Sequence, residues 1–455
     1  MKRKYTKKQK KIIMRFRNLS VRIFAGLMLL GGIVGLLFFF RPATSTVEKR
    51  ELTKFPKLTL SSFWDGSFFS EVSLWYSDTY PMRDRLIAAD QTLKSAYGVT
   101  TSTMMVGGHQ QGDEIPTETA KADTEDEPKT EEAVQNEDTG TEEEKEPVSA
   151  PDSREMEAEI QNQIQQGLYV KDGAAYSVYY YSQSAAETYA QALNQAAKKL
   201  EGQAEVYSIL VPNNSGAMLS EKELESLGGS DQAQAISYYH SLYEGVKPVK
   251  TIETLREHND EYLYFRTDHH WTQLGAYYVY RNFCEEKGIE PHELSEFDTM
   301  TFSPFLGTFY TELKNQDMAE NPDTVEAYVP MGTNDMTYWD TDGTEYQWNI
   351  IEDVSTWDES SGYYCYIGGD KPLSIIENPE IQDGSSCLVL KESYGNCFVP
   401  FLVDHYETVY VVDFRYANVN VVDYVKEKNI QDLIIMNNIT IIGSDKVAST
   451  IAGLL

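Results

Sequence analysis

Phe265-Arg266-Thr267-Asp268-His269-His270-Trp271-Thr272 decides how this chain is read. An acid stands two residues before a histidine, and a tryptophan follows both. In an extended or turn conformation, residues i and i+2 point to the same side. Asp268 and His270 can therefore share one face and set a carboxylate beside an imidazole. That pair is the orienter and base of a nucleophilic hydrolase. His269 then faces the opposite way, free to hydrogen-bond a neighbouring loop; the Asp-x-His spacing selects His270 as the base, with His269 as the alternative. The candidate for the missing nucleophile is Ser393, which ends the apolar run Cys387-Leu388-Val389-Leu390 at Lys391-Glu392-Ser393-Tyr394-Gly395-Asn396.

The flanking pattern supplies a scaffold for that pairing. Residues 167–173 read as a hairpin and 185–200 as an amphipathic helix. A buried strand follows over 205–212, then a helix near 231–243, a short strand at 246–249 and a helix at 252–259. Residues 274–288 form the next helix. The alternation resumes with a strand at 386–391, a helix at 395–403, a strand at 408–413, a helix at 420–428 and a strand at 432–436; 439–442 is a further strand candidate. Alternating strands and helices imply an α/β domain, a parallel sheet with helices on both faces. Residues 300–380, rich in Tyr, Trp, Asp and Gly, are expected to be a β-rich insertion.

The first 160 residues have a different character. Residues 2–22 hold ten Lys or Arg and no acid, and Ile23–Phe40 is an uncharged apolar run of 18 residues. The run is close to the roughly 20 residues that span a bilayer, and its basic flank belongs in the cytoplasm. We expect a cytoplasmic tail over 1–22 and an uncleaved transmembrane anchor over 23–40, with a cleaved signal peptide as the competing possibility. Residues 48–106 read as a juxtamembrane helical module. From Asp113 to Glu159 there are 19 acidic and 4 basic residues. Such a segment cannot bury enough apolar surface to offset its ordering entropy, so 107–157 is expected to be a disordered acidic linker. The catalytic domain would occupy 161–455. The net charge of −32 argues against nucleic-acid binding. Cys284, Cys365, Cys387 and Cys397 form no C-x-x-C pair, which speaks against a structural zinc site.

Other residues carry two readings each. Ser393 falls at a strand-to-helix turn, where backbone N–H groups can stabilise an oxyanion; by itself it reads as a helix N-cap, and the pairing with the Asp-x-His element turns the reading to a nucleophile. Gly307, in Phe305-Leu306-Gly307-Thr308, is either a second oxyanion donor or a turn glycine. Arg415, in Asp413-Phe414-Arg415-Tyr416, either binds an anionic substrate group or pairs with Asp413. Trp271 either packs behind the loop or, with Tyr394, contacts substrate. Asp268, His269 and His270 together are also a metal-ligand pattern, with a metallophosphoesterase as the rival chemistry; no metal or cofactor is expected.

The TDHHWT element, the later SYGN serine and the DFRY strand end together resemble the DHHW proteins. These in turn are similar to the alginate O-acetylation proteins of the SGNH-hydrolase-like fold. Glu48-Lys49-Arg50-Glu51-Leu52, followed by Phe55-Pro56, fits the start of the family. The resemblance implies a three-layer SGNH-hydrolase-like domain with Ser393 as nucleophile, His270 as base and Asp268 as orienter. The Ser393 and Gly307 N–H groups would form the oxyanion hole, with Asn213 and Asn396 as possible block asparagines. It implies O-acetyl transfer or deacetylation on a cell-surface polysaccharide outside the membrane, beside a membrane-bound O-acyltransferase supplying acyl groups. A non-catalytic binding module on the same fold is the alternative. Where the family has Asp before the serine, this chain has Glu392.

Overall fold

In a computed structural model, the described residues are 22, 26, 44–45, 50–51, 54–55, 57, 68, 72, 75–76, 79–80, 103–107, 112–116 and 153–455. The chain divides into two units, Met1–Thr101 and Ser102–Leu455. In the first, Thr44–Ser45 pairs antiparallel with Arg50–Glu51, and the Phe55 ring meets Trp75 edge-on at 4.8 Å. The expected tail at 1–22 apart from Arg22, the anchor at 23–40 apart from Gly26, and most of the 48–106 module and of the 107–157 linker lie outside the described residues. Among the described residues no helix is long and apolar enough to cross a membrane.

The second unit is built on an eight-stranded sheet. Its strands are β1 (Glu205–Val211), β2 (Val246–Pro248), β3 (Asp335–Trp339), β4 (Glu345–Asn349), β5 (Leu373–Glu377), β6 (Ser386–Lys391), β7 (Thr408–Asp413) and β8 (Asp432–Asn438). They lie in the order β4-β3-β5-β7-β6-β8-β1-β2. From β7 to β2 all pairings are parallel. β5, β3 and β4 extend that half antiparallel. The sheet is therefore mixed rather than wholly parallel. The antiparallel strands come from 300–380, which also contributes the hairpin Asp298–Phe305 with Asp323–Val329.

Every residue of β6 and β8 is buried, as expected for parallel strands covered on both faces. Alternate side chains serve the two faces. Cys387, Val389, Val411, Ile434 and Met436 pack with Val279 and Phe283 of the helix Gln273–Lys287. Leu388, Leu390, Val412, Leu433 and Ile435 pack on the other side, against helices Gln183–Lys199, Val421–Lys428 and Asp445–Leu454. Truncating one such side chain, as in Leu390→Ala, costs about 2–5 kcal/mol.

Three local expectations change. The helix Ser153–Gln165 starts inside the span expected to be disordered and buries Met156, Ile160 and Ile164; its apolar stripe was masked by the acidic composition around it. The helix expected at 395–403 is two 3₁₀ segments, Ser393–Gly395 and Val399–His405, the second with Pro400 near its start. Residues 439–442 form a helical turn, because the Asn438 side chain ends β8 by accepting the Thr440 N–H at 2.9 Å.

Candidate active site

Parallel strands place their following loops at one edge of the sheet. Lys391 at the end of β6 lies opposite Asp413 at the end of β7 and Met436 in β8. Ser393 follows Lys391 by two residues, in the 3₁₀ turn Ser393–Gly395, and stays partly exposed while its neighbours Glu392 and Tyr394 are buried. Gly395 must be glycine, since a Cβ there would meet the Lys391 Cβ at 2.7 Å.

The acid and base arrive on a separate loop. Tyr264 bridges to Trp271, and the Thr272 N–H donates to the Leu263 carbonyl at 2.8 Å, closing a tight loop over 263–272. Asp323, fully buried, clamps that loop. It accepts the Thr267 N–H and hydroxyl at 2.7 and 2.6 Å, and the Arg266 N–H at 3.1 Å. The sequence offered no sign of this contact, because Asp323 lies more than 50 positions beyond the histidines in a stretch without a legible period.

Within the loop, Asp268 Oδ1 accepts from the His270 backbone N–H at 3.0 Å and sits 2.6 Å from His270 Nδ1. His270 Nε2 lies 2.8 Å from Ser393 Oγ. The expected acid, base and hydroxyl thus form one hydrogen-bonded line. The Thr308 N–H and hydroxyl donate to Asp268 Oδ2 at 2.8 and 3.0 Å. Burial raises the Asp268 pKa, but His270, His269 and these donors outweigh it, holding the carboxyl well below the usual carboxylate range. His269 does not face away from His270: their ring centroids lie 3.8 Å apart, because the Asp268 cap bends the segment into a turn. His269 Nδ1 pairs with the Thr308 hydroxyl at 2.7 Å, and burial followed by His270 pushes its pKa down to about 3.

Glu392 is fully buried and caps the serine turn. It accepts the Tyr394 N–H at 2.8 Å through one oxygen and the Asn438 N–H at 2.8 Å through the other. The glutamate in place of aspartate thus ties the serine turn to the end of β8. Burial raises its pKa above the ordinary carboxylate value. The Ser393 hydroxyl is also within 3.3 Å of Glu392 Oε2.

The remaining candidates fall into place less simply. Gly307 packs against Asp268, where a Cβ would come within 2.3 Å of the aspartate side chain, and its N–H donates to the Thr267 hydroxyl at 3.1 Å. It shapes the pocket behind the carboxylate and is not aimed at an oxyanion. Trp271 is fully buried and donates its indole N–H to the Tyr394 carbonyl at 2.9 Å. Tyr394 is buried too, its hydroxyl donating to the His269 carbonyl. Both are packing residues that lock the two loops together, not substrate contacts. Arg415 is buried and paired, with Nη2 2.6 Å from Asp413 Oδ2 and 2.7 Å from Asp370 Oδ1. Lys391 Nζ joins the same two carboxylates at 2.8 and 3.2 Å. Arg415 is thus committed to a four-charge cluster beside the serine turn, not held open for substrate. Asn213 Nδ2 donates to the Thr440 hydroxyl and Asn396 Nδ2 to Asp370. Asp268, His269 and His270 bring possible ligand atoms within 4.8 Å of one another. A metal there would have to displace the bonds that His270 makes to Asp268 and Ser393. The four cysteines are buried free thiols.

The description "DHHW protein" matches residues 48–149 and 150–412. The chain belongs to the DHHW family. A DHHW family protein from Eubacterium siraeum, solved as a crystal structure, is similar at 29% identity. The match covers 63% of this chain and 94% of that one, with a TM-score of 0.56. Bacillus cereus PatB1 matches at 23% identity, covering 62% of this chain and 98% of PatB1, with a TM-score of 0.53. Another PatB1 structure, bearing a sulfonyl adduct, matches at 22% identity, 60% and 93% coverage and TM-score 0.51. The likeness to PatB1 shows a shared fold. The O-acetyltransferase domain of Pseudomonas putida AlgJ aligns at 12% identity over 62% of this chain and 96% of that domain, with a TM-score of 0.36. No curated protein matches. This DHHW protein therefore has the α/β fold of its family.

Proposed function

We propose that this DHHW protein is a serine acyl-transfer enzyme that moves acetyl groups onto, or removes them from, a cell-surface polysaccharide. The observation that carries the reading is the line Asp268 Oδ1–His270 Nδ1 at 2.6 Å and His270 Nε2–Ser393 Oγ at 2.8 Å. His270 Nε2 takes the Ser393 proton as Oγ bonds to the acyl carbon. The tetrahedral intermediate then expels the donor oxygen, which receives that proton from His270. A sugar hydroxyl or water next attacks the acyl-serine, giving its proton to His270. Ser393 leaves and recovers the proton. Asp268 fixes the imidazole tautomer and stabilises the imidazolium. The Ser393 N–H is the first candidate donor to the oxyanion.

The family resemblance to alginate O-acetylation proteins supports the acetyl group and the polysaccharide. The basic tail and the apolar run at 23–40 support a single-pass anchor with this domain outside the cell. In that arrangement a membrane-bound O-acyltransferase would supply the acyl group. The test is labelling of Ser393 by a sulfonyl fluoride and hydrolysis of an aryl acetate. A chain that neither reacts at Ser393 nor turns over the ester is a binding module on the same fold.

A further inference from the structure

The turn Gly362–Cys365 comes from the insertion at 300–380, far in sequence from both the acid–base loop and the serine. It places Tyr363 against both. The phenol ring stacks on the His270 imidazole with centroids 3.9 Å apart and planes 9° from parallel. Its hydroxyl donates to the carbonyl oxygen of Ser393 at 2.9 Å and lies 3.4 Å from Cys397 Sγ. Only 8% of the residue is exposed. The ring is itself buttressed edge-on by Tyr366 at 5.2 Å and Phe265 at 6.2 Å.

These contacts do something the acid and serine cannot. The imidazole is held along its edge, by Asp268 at one nitrogen and Ser393 at the other. Two edge bonds leave the ring able to tilt about the line that joins them, and the His269 ring 3.8 Å away is itself inclined 38° to the His270 ring rather than stacked flat. A rigid aromatic plane packed on its face blocks that tilt. The same side chain, through its hydroxyl, fixes the main chain of Ser393, whose own hydroxyl donates to the ring's other nitrogen. Base and nucleophile are thereby referenced to one buried side chain.

We infer that Tyr363 is a positioning residue for the proton transfer between Ser393 and His270, its ring stack being the main restraint. The inference rests on the acyl-transfer reading above. It gives the insertion a role in the reaction.

The test uses the full chain, with Tyr363→Leu and Tyr363→Phe compared by aryl acetate kinetics, the rate of Ser393 sulfonylation and thermal unfolding. Tyr363→Leu should lower kcat on the order of 10²-fold with KM little changed, as expected when a reacting group is misplaced. Sulfonylation should slow in step. Tyr363→Phe keeps the stack and should recover to within about tenfold of wild type, the residual loss reflecting one hydrogen bond. Should the leucine variant fail to fold, Tyr363→Met, which keeps apolar bulk but not the plane, carries the same expectation. Wild-type kcat in the folded Leu or Met variant, a loss confined to KM, or a Phe variant as impaired as Leu would overturn the inference. A wild-type chain unreactive at Ser393 removes the acyl-transfer reading and the inference together. A reactive wild type matched by Tyr363→Leu removes the inference alone.

Discussion

Ser393 Oγ and His270 Nε2 stand 2.8 Å apart although 123 positions separate them. One sits on the turn after a central strand and the other on a loop clamped by Asp323. Neither element holds the pair together without the other, and the consequences can be measured.

Ser393→Ala should abolish aryl acetate hydrolysis, by about 10⁴-fold or more, and leave stability within about 1 kcal/mol. Asp268→Asn should lower kcat by a similar order, since an amide no longer holds His270 in the productive tautomer. Steady-state kinetics alongside urea unfolding separate these effects from misfolding. Unchanged turnover in Ser393→Ala removes that residue from the chemistry.

Gly307→Ala should push on Asp268, because the added methyl would lie 2.3 Å from the carboxylate side chain. Asp268 is already held by Thr308 and His270, so it has little room to yield. We expect kcat to fall by roughly 10- to 100-fold and the melting temperature to drop. A fully active, equally stable variant would show that the loop relaxes freely.

Asp413 is fully buried and contacts both Arg415 and Lys391. Removing it strands two buried cations on one remaining carboxylate, Asp370. Asp413→Ala should therefore destabilise by about 3–5 kcal/mol. If chemical denaturation shows less than about 1 kcal/mol, water reaches the cluster.

Stability should decline as pH falls from about 6.5 toward 4. His269 is pushed down to about 3 by burial and then by His270. His240 falls to about 4 through burial, as does His405 through burial, His292 and Lys287. Their folded pKa values lie below the unfolded value of roughly 6.5, so the unfolded chain binds protons that the folded chain refuses. Stability is complete above that value and is lost below it, down to the folded pKa values. His269 alone accounts for up to about 1.4 kcal/mol per pH unit. Urea midpoints at pH 7, 6 and 5 check the sign. His269→Gln should flatten the curve.

The alternating scaffold and the candidate triad were legible from local pattern. Unbroken apolar runs such as Cys387–Leu390, short and bounded by polar residues, fit strands buried on both faces. An Asp-x-His spacing is short enough for local geometry to pair its own side chains, and Asp268 does bond His270. What lay beyond local geometry was decided by the tertiary structure. Asp323 clamps Thr267 from 56 positions away, and Tyr363 reaches His270 from an insertion with no legible period. Glu392 spans to Asn438 on another strand. Arg415, Trp271 and Tyr394 have side chains suited to either a ligand or a core. Packing alone committed them to Asp370 and Asp413, and to each other's loops. A hydrogen bond or stacked ring between distant segments leaves no periodicity in either one, because its geometry exists only once the sheet has brought the strand ends together.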